Sequence, residues 1–213
     1  MNLKFVGSMM ILMAVTALTA CQKDAQNVVD NVQRGVTELQ LNHKWTTNCE
    51  NANAAVFSFN LTSETEQYDI GSSLSKTTTF FASSGCTSGL VQIIENGNSH
   101  IGTQLSGNMS TFNIDFQSVS ITPMTDTGRD TLNGISACGI SNWVTGQSRD
   151  VTTATSSSPA ADRCWILTPR TVFDLVQVTD AQLKFGLNEN GLDKSTDQKR
   201  PVRIDDSKPL TKE

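Results

Sequence analysis

From Asn42 onward the chain is governed by a hydrophobic period of two. Phe57, Phe59 and Leu61 alternate with polar residues. So do Ile101, Thr103 and Leu105, then Phe112, Ile114 and Phe116, then Leu183, Phe185 and Leu187. A strand with that period turns one face to a core and the other to water, as in antiparallel sheets. In segment 110–122 the phase slips at Ser118, because Val119 and Ile121 continue on the other parity. The slip predicts a β-bulge that re-aims the strand. Asn96-Gly97 predicts a tight hairpin, and Asp126-Thr127-Gly128-Arg129 and Asn188-Glu189-Asn190-Gly191 read as turns. Residues 152–161, rich in Ser, Thr and Ala, read as a loop, and only 201–204 near the end resembles an edge strand. Eight to ten short strands suit a barrel or a sandwich, and closure removes exposed edges. The expectation is an all-β antiparallel barrel of about eight strands, with a β-sandwich as runner-up.

Composition supports this. A length of 213 residues allows one ordinary domain with a real core. Charged residues make up 17% of the chain, below the roughly 25% usual in soluble domains. The net charge is -5, and without clustered Lys and Arg the chain does not read as a nucleic-acid binder.

The N-terminus reads as an address. Lys4 precedes an apolar run over 5–18, and Leu18-Thr19-Ala20-Cys21 matches the bacterial lipobox. Residues 1–20 are expected to be a lipoprotein signal peptide, and Cys21 the residue that takes the diacylglyceryl group and its palmitate-type chains. Gln22 rather than Asp after the cysteine points to the outer membrane, with the domain facing periplasm or surface. Residues 22–40 place Ala25, Val28, Val29, Val32, Val36 and Leu39 at helical spacing. The expected organisation is therefore a lipidated tether over 21–40, a barrel over 41–206 and a tail over 207–213.

Four cysteines remain: Cys49, Cys86, Cys138 and Cys164. In an exported chain an even count reads as disulfides, and four cysteines allow three pairings. The short loops favour Cys49–Cys86 and Cys138–Cys164. Zinc fails on spacing, since there is no CxxC and neither His43 nor His100 stands at ligand distance from a cysteine.

The strand Trp45-Thr46-Thr47-Asn48-Cys49 is followed, some way on, by Phe80-Phe81-Ala82-Ser83-Ser84-Gly85-Cys86. Next come Cys138-Gly139-Ile140-Ser141-Asn142-Trp143, then Leu183-Lys184-Phe185-Gly186 and Arg200-Pro201-Val202. In that order these segments resemble the small proteobacterial outer-membrane lipoproteins with a lipocalin-like β-barrel. The resemblance implies a fold and an envelope location, not an established activity. It also implies that Trp45 packs under a basic residue near the C-terminus, Arg203 or Arg200, to close one barrel end.

Nothing in the sequence reads as catalytic machinery. Gly85-Cys86-Thr87-Ser88-Gly89 has its serine one place late for a GxSxG elbow. There is no HExxH, phosphate loop or GxGxxG. Segment 188–193 lacks the full calcium-loop pattern. Neither a catalytic residue, a metal nor a cofactor is expected. The expected function is a non-enzymatic binding module for a hydrophobic ligand or an envelope component, anchored to the membrane through Cys21 and monomeric. That reading predicts an apolar, unfilled interior. The alternative is a structural or adhesive surface lipoprotein with a packed interior, which Phe57, Phe59, Phe80, Phe81, Phe112, Phe116, Phe173 and Phe185 are numerous enough to supply.

Overall fold

Alternating segments pair with their neighbours in sequence until the sheet meets itself. The structure, a computed structural model, describes residues 35–52, 61–154, 169–189 and 191–213, all within one compact unit, Gly35–Glu213. The expected signal peptide, Cys21 and the tether as far as 34, together with Phe57, Phe59, Cys164, Trp165 and most of loop 152–161, lie outside the described residues. The strands are β1 (Lys44–Thr47), β2 (Glu50–Asn51), β3 (Ser63–Ile70), β4 (Leu74–Phe81), β5 (Gly89–Ser106), β6 (Met109–Pro123), β7 (Arg149–Asp150), β8 (Arg170–Val178), β9 (Gln182–Phe185) and β10 (Leu210–Lys212).

Eight of them form a closed antiparallel barrel in the order β1-β3-β4-β5-β6-β8-β9-β10, and β10 pairs back onto β1. Each neighbour in the wall is the next barrel strand in the chain, so this is an up-and-down meander. Strand β2 prolongs β1 along β3, and β7 prolongs the wall along the far end of β6. Among the described residues no helix is long and apolar enough to cross a membrane.

Inward positions follow from register, because residues directly opposite point to the same side. Trp45 faces Tyr68, Tyr68 faces Lys76, and Lys76 faces Glu95. The inner face of β6 carries Ser110, Phe112, Ile114 and Phe116, then Val119 and Ile121 after the phase slip. The predicted bulge is present: Asn96 pairs with Ser118 and Gly97 with Phe116, leaving Gln117 unpaired and exposed.

Two hydrophobic clusters result. The first fills one end of the barrel, where Val36 and Leu41 pack with Trp45, Ile70, Leu74 and Phe112. Leu41 belongs to a single turn, α1 (Glu38–Leu41), which opens with a reciprocal capping box between Thr37 and Gln40. In the second, Phe80, Val91, Ile93, Val119 and Ile121 continue the inner face beyond the barrel. They are covered by Leu132 of α2 (Asp126–Gly134), Ala137, Trp143 and Val151.

Several sequence expectations are corrected here. Asn96-Gly97 is no hairpin, because β5 runs straight through it. Gly97 is there because a β-carbon would stand 2.0 Å from the carbonyl oxygen of Asp115. Asp126-Thr127-Gly128-Arg129 is no turn but the start of α2, with Thr125 as its N-cap. Leu105 at the end of β5 is exposed rather than inward. The expected tail over 207–213 contains β10, the strand that closes the barrel, while 201–204 contributes only an isolated bridge from Ile204 to Gly186. The barrel unit therefore starts before residue 41 and extends past 206. In 35–40 only Val36 is buried, and Leu39 is exposed, so the helical spacing there serves a cap of one turn.

Candidate functional site: a charged barrel lumen

The strand alternation that buries apolar side chains at one end carries charged residues on the same inward face at the other. On β3, Glu66 is in phase with Tyr68 and Ile70, and on β4 Lys76 is in phase with Leu74, Thr78 and Phe80. On β5, Glu95 is in phase with Val91 and Ile93, and on β8 Asp174 is in phase with Val176 and Val178. Each is thus carried into the barrel by its backbone. A cavity of about 460 Å³ opens beside Glu66, Lys76 and Asp174, bounded also by Thr47, Tyr68, Phe116, Val172 and Leu210 among others.

The charges are paired. Lys76 Nζ lies 2.6 Å from Glu66 Oε1 and 5.4 Å from the Tyr68 ring centre. Lys194 Nζ donates to Asp174 Oδ2 at 2.8 Å, while Asp174 Oδ1 accepts from the backbone N–H of Leu175 and of Gly186. Lys208 Nζ lies 2.8 Å from Glu50 Oε2. Arg170 Nη2 approaches Glu95 Oε1 to 2.6 Å, but the angle is not that of a hydrogen bond, and Arg170 Nη1 has no partner. The Arg170 guanidinium also stacks over Phe116 at 4.4 Å.

These pairs set the protonation states. Burial opposes ionisation of Glu66, but the charges of Lys76 and Lys208 and the hydrogen bonds from Lys76 and Tyr68 outweigh it, so its pKa lies below the ordinary value. Burial also opposes charging Lys76, and the Glu66 carboxylate overcomes this and raises its pKa. Tyr68 is pushed up by burial and then by the Glu66 charge. At Asp174 burial prevails over Lys194, and its pKa is raised. The lumen thus holds three carboxylate–ammonium pairs, water-sized space between them, and an apolar strip along Ile114, Phe116, Val172 and Phe185.

A further part of the wall comes from segment 186–209, between β9 and β10. Gly186, Leu187, Asn188, Lys194, Asp205 and Lys208 all line the cavity. The segment is fixed by Arg200, whose guanidinium donates to the backbone carbonyls of Phe112 and Asp174 and to Asn113 Oδ1.

The predicted site residues fall in separate places. Trp45 is buried at the closed end, where its indole N–H donates to the Leu41 carbonyl at 2.9 Å. Arg203 does not cover it. That side chain is exposed and pairs with Glu189 at the opposite end of the cavity wall. The closing element is α1, and Arg200 lies 5.5 Å over Phe173 instead. His43 makes an edge contact with Trp45, and His100 is exposed on β5 with Asp115 3.3 Å away. Neither histidine lines the lumen. Cys49 and Cys86 form a disulfide. Cys138 is also disulfide-bonded and packs on the cluster that contains Trp143. The expected partner, Cys164, is outside the described residues, as is Cys21. Among the described residues no group of three or more His, Cys, Asp or Glu could hold a metal.

Sequence reasoning missed every charged group of the lumen. The signal was available: a charge in phase with the apolar positions of a period-two strand points inward with them. Compared with known proteins, the chain matches no family model, and no curated protein matches it either.

Proposed function

We propose that this protein is an envelope lipoprotein, anchored to the outer membrane through Cys21, whose barrel is a non-enzymatic binding module. The observation that carries the binding part is the lumen: a closed barrel, sealed by α1 at one end, keeps a cavity of about 460 Å³ at the other. That volume is in the range of small-ligand sites. The interior is neither uniformly apolar nor packed throughout. Its mixed lining favours an envelope component or an amphipathic ligand over a plain hydrocarbon. An adhesive lipoprotein with a filled barrel gives no reason for a cavity of this size. The anchor is supported by the sequence Leu18-Thr19-Ala20-Cys21.

Native mass spectrometry of the full chain, extracted gently from its own membranes, tests the binding reading. A stoichiometric small molecule that survives desalting supports it, and a bare mass before and after incubation with envelope extract overturns it. Cys21→Ala tests the anchor separately. The variant should leave the membrane fraction and lose palmitate labelling, and persistence in that fraction refutes lipidation.

A further inference from the structure

We propose that the lumen selects a neutral, hydroxyl-rich ligand, with the chemistry of a mono- or disaccharide, taken free or as the headgroup of a glycolipid. This rests on the binding-module reading and names its ligand class.

The first argument is charge balance. Glu66–Lys76, Asp174–Lys194 and Glu50–Lys208 each cancel, and the other two charged residues of the lining, Arg170 and Asp205, are of opposite sign, so the lining has no surplus of either sign. An ionic ligand would have to compete for one partner and leave the other uncompensated, which is costly in a buried site. The second is hydrogen-bond capacity. Each ammonium has three donors and each carboxylate about four acceptor sites, so part of both stays unused even where Glu66 also accepts from the Tyr68 hydroxyl and Asp174 from two backbone N–H groups. Spare donors therefore stand beside spare acceptors. A hydroxyl both donates and accepts, so it can bridge such a pair without breaking it. An alkyl chain would displace the water solvating the pairs and return no hydrogen bonds.

The third argument is the apolar part of the lining. Ile114, Val172 and Phe185, on the adjacent strands β6, β8 and β9, form an apolar strip beside the Asp174–Lys194 pair, which suits the C–H face of a sugar ring. Asn188 adds an exposed carboxamide at the wall, with capacity for both donation and acceptance.

The test uses the full chain in a detergent without a sugar headgroup. Saturation-transfer NMR and titration calorimetry would probe glucose, N-acetylglucosamine, maltose and trehalose against palmitate and phosphatidylcholine. At least one saccharide should bind, and palmitate should not. Asn188→Ala, at an exposed position, should weaken the saccharide about tenfold with an unchanged melting temperature. Glu66→Leu combined with Lys76→Met replaces an ion pair by apolar residues of similar size. That variant should lose saccharide binding and gain palmitate. Octyl glucoside binding at least tenfold tighter than methyl glucoside would identify a glycolipid source, and equal binding a free sugar. Wild-type protein that binds palmitate or phosphatidylcholine but no saccharide overturns the ligand class and leaves the binding module standing. If no probe binds and the native mass is bare, both fall.

Discussion

The two ends of the barrel are lined by the same strands and obey the same alternation, yet one is apolar under its cap, with a groove of about 290 Å³ beside α1, and the other holds charges around a cavity of about 460 Å³. At the closed end Trp45, Ile70, Leu74 and Phe112 meet Leu41 and Val36 and leave no group in need of water. At the other, Tyr68 is followed on the same face of β3 by Glu66, and Leu74 on β4 by Lys76. Apolar side chains gain by closing on one another, whereas paired charges gain by keeping polar neighbours and solvent. A change of two residues along a strand is enough to turn core into cavity.

Trp45→Ala should have the largest effect on this contrast. It removes the biggest side chain of the closed end together with its bond to Leu41, and should cost about 3–5 kcal/mol in denaturant unfolding. Tolerance of that change would mean that the closed end is not the stabilising half. Next comes the Cys49–Cys86 bridge, which joins the β1–β2 junction to the loop after β4 across a sequence separation of 37. Replacing both cysteines by Ala should cost roughly 3–4 kcal/mol by loop-closure entropy. Hydrogen exchange should rise most in 48–51 and 82–88.

A smaller effect is expected for Lys76→Met alone. Its cost should be about 2 kcal/mol, below that of a fully dry pair because the cavity admits water to Glu66. Adding Glu66→Leu should recover most of that loss, and a double variant less stable than the single would mean the pair is net stabilising. The smallest effect is on pH dependence. Glu66, with its lowered pKa, contributes stability that is present above its ordinary value of 4.5 and lost as pH falls through the folded value. Asp174, with its raised pKa, has the opposite sign: its contribution is present below 3.8 and lost as pH rises through the folded value. Melting curves between about pH 3 and pH 7 should show a shallower acid loss for Glu66→Gln and a steeper one for Asp174→Asn.

The architecture was legible because periodicity reports which face is buried, independently of what lies opposite. The bulge near Ser118 could be read from a change of parity in β6, and it is where Gln117 leaves the ladder. Local turn chemistry was a poorer guide. Asn96-Gly97 carries a hairpin signature, but the glycine there answers to the close passage of Asp115 on the neighbouring strand, a contact that sequence distance hides. Strand β10 was invisible for the same reason. Leu210 becomes a barrel residue only by facing Leu183 on one side and Thr47 on the other. The lumen was legible in principle, since Glu66, Lys76, Glu95 and Asp174 all break an apolar phase. Their pairing across strands could not be read without the register.

Closure through β1 and β10 also has a kinetic meaning. The β3–β6 meander can assemble from neighbouring hairpins, but the seam joins Thr46 and Thr211, which are 165 residues apart. Contacts at that range form slowly, because the chain must be ordered before they return any stability. Until the seam is made, both lips of the sheet are open edges, able to pair with another copy as well as with each other. The rate of seam formation, more than final stability, should then set how concentrated the refolding chain can be before it associates.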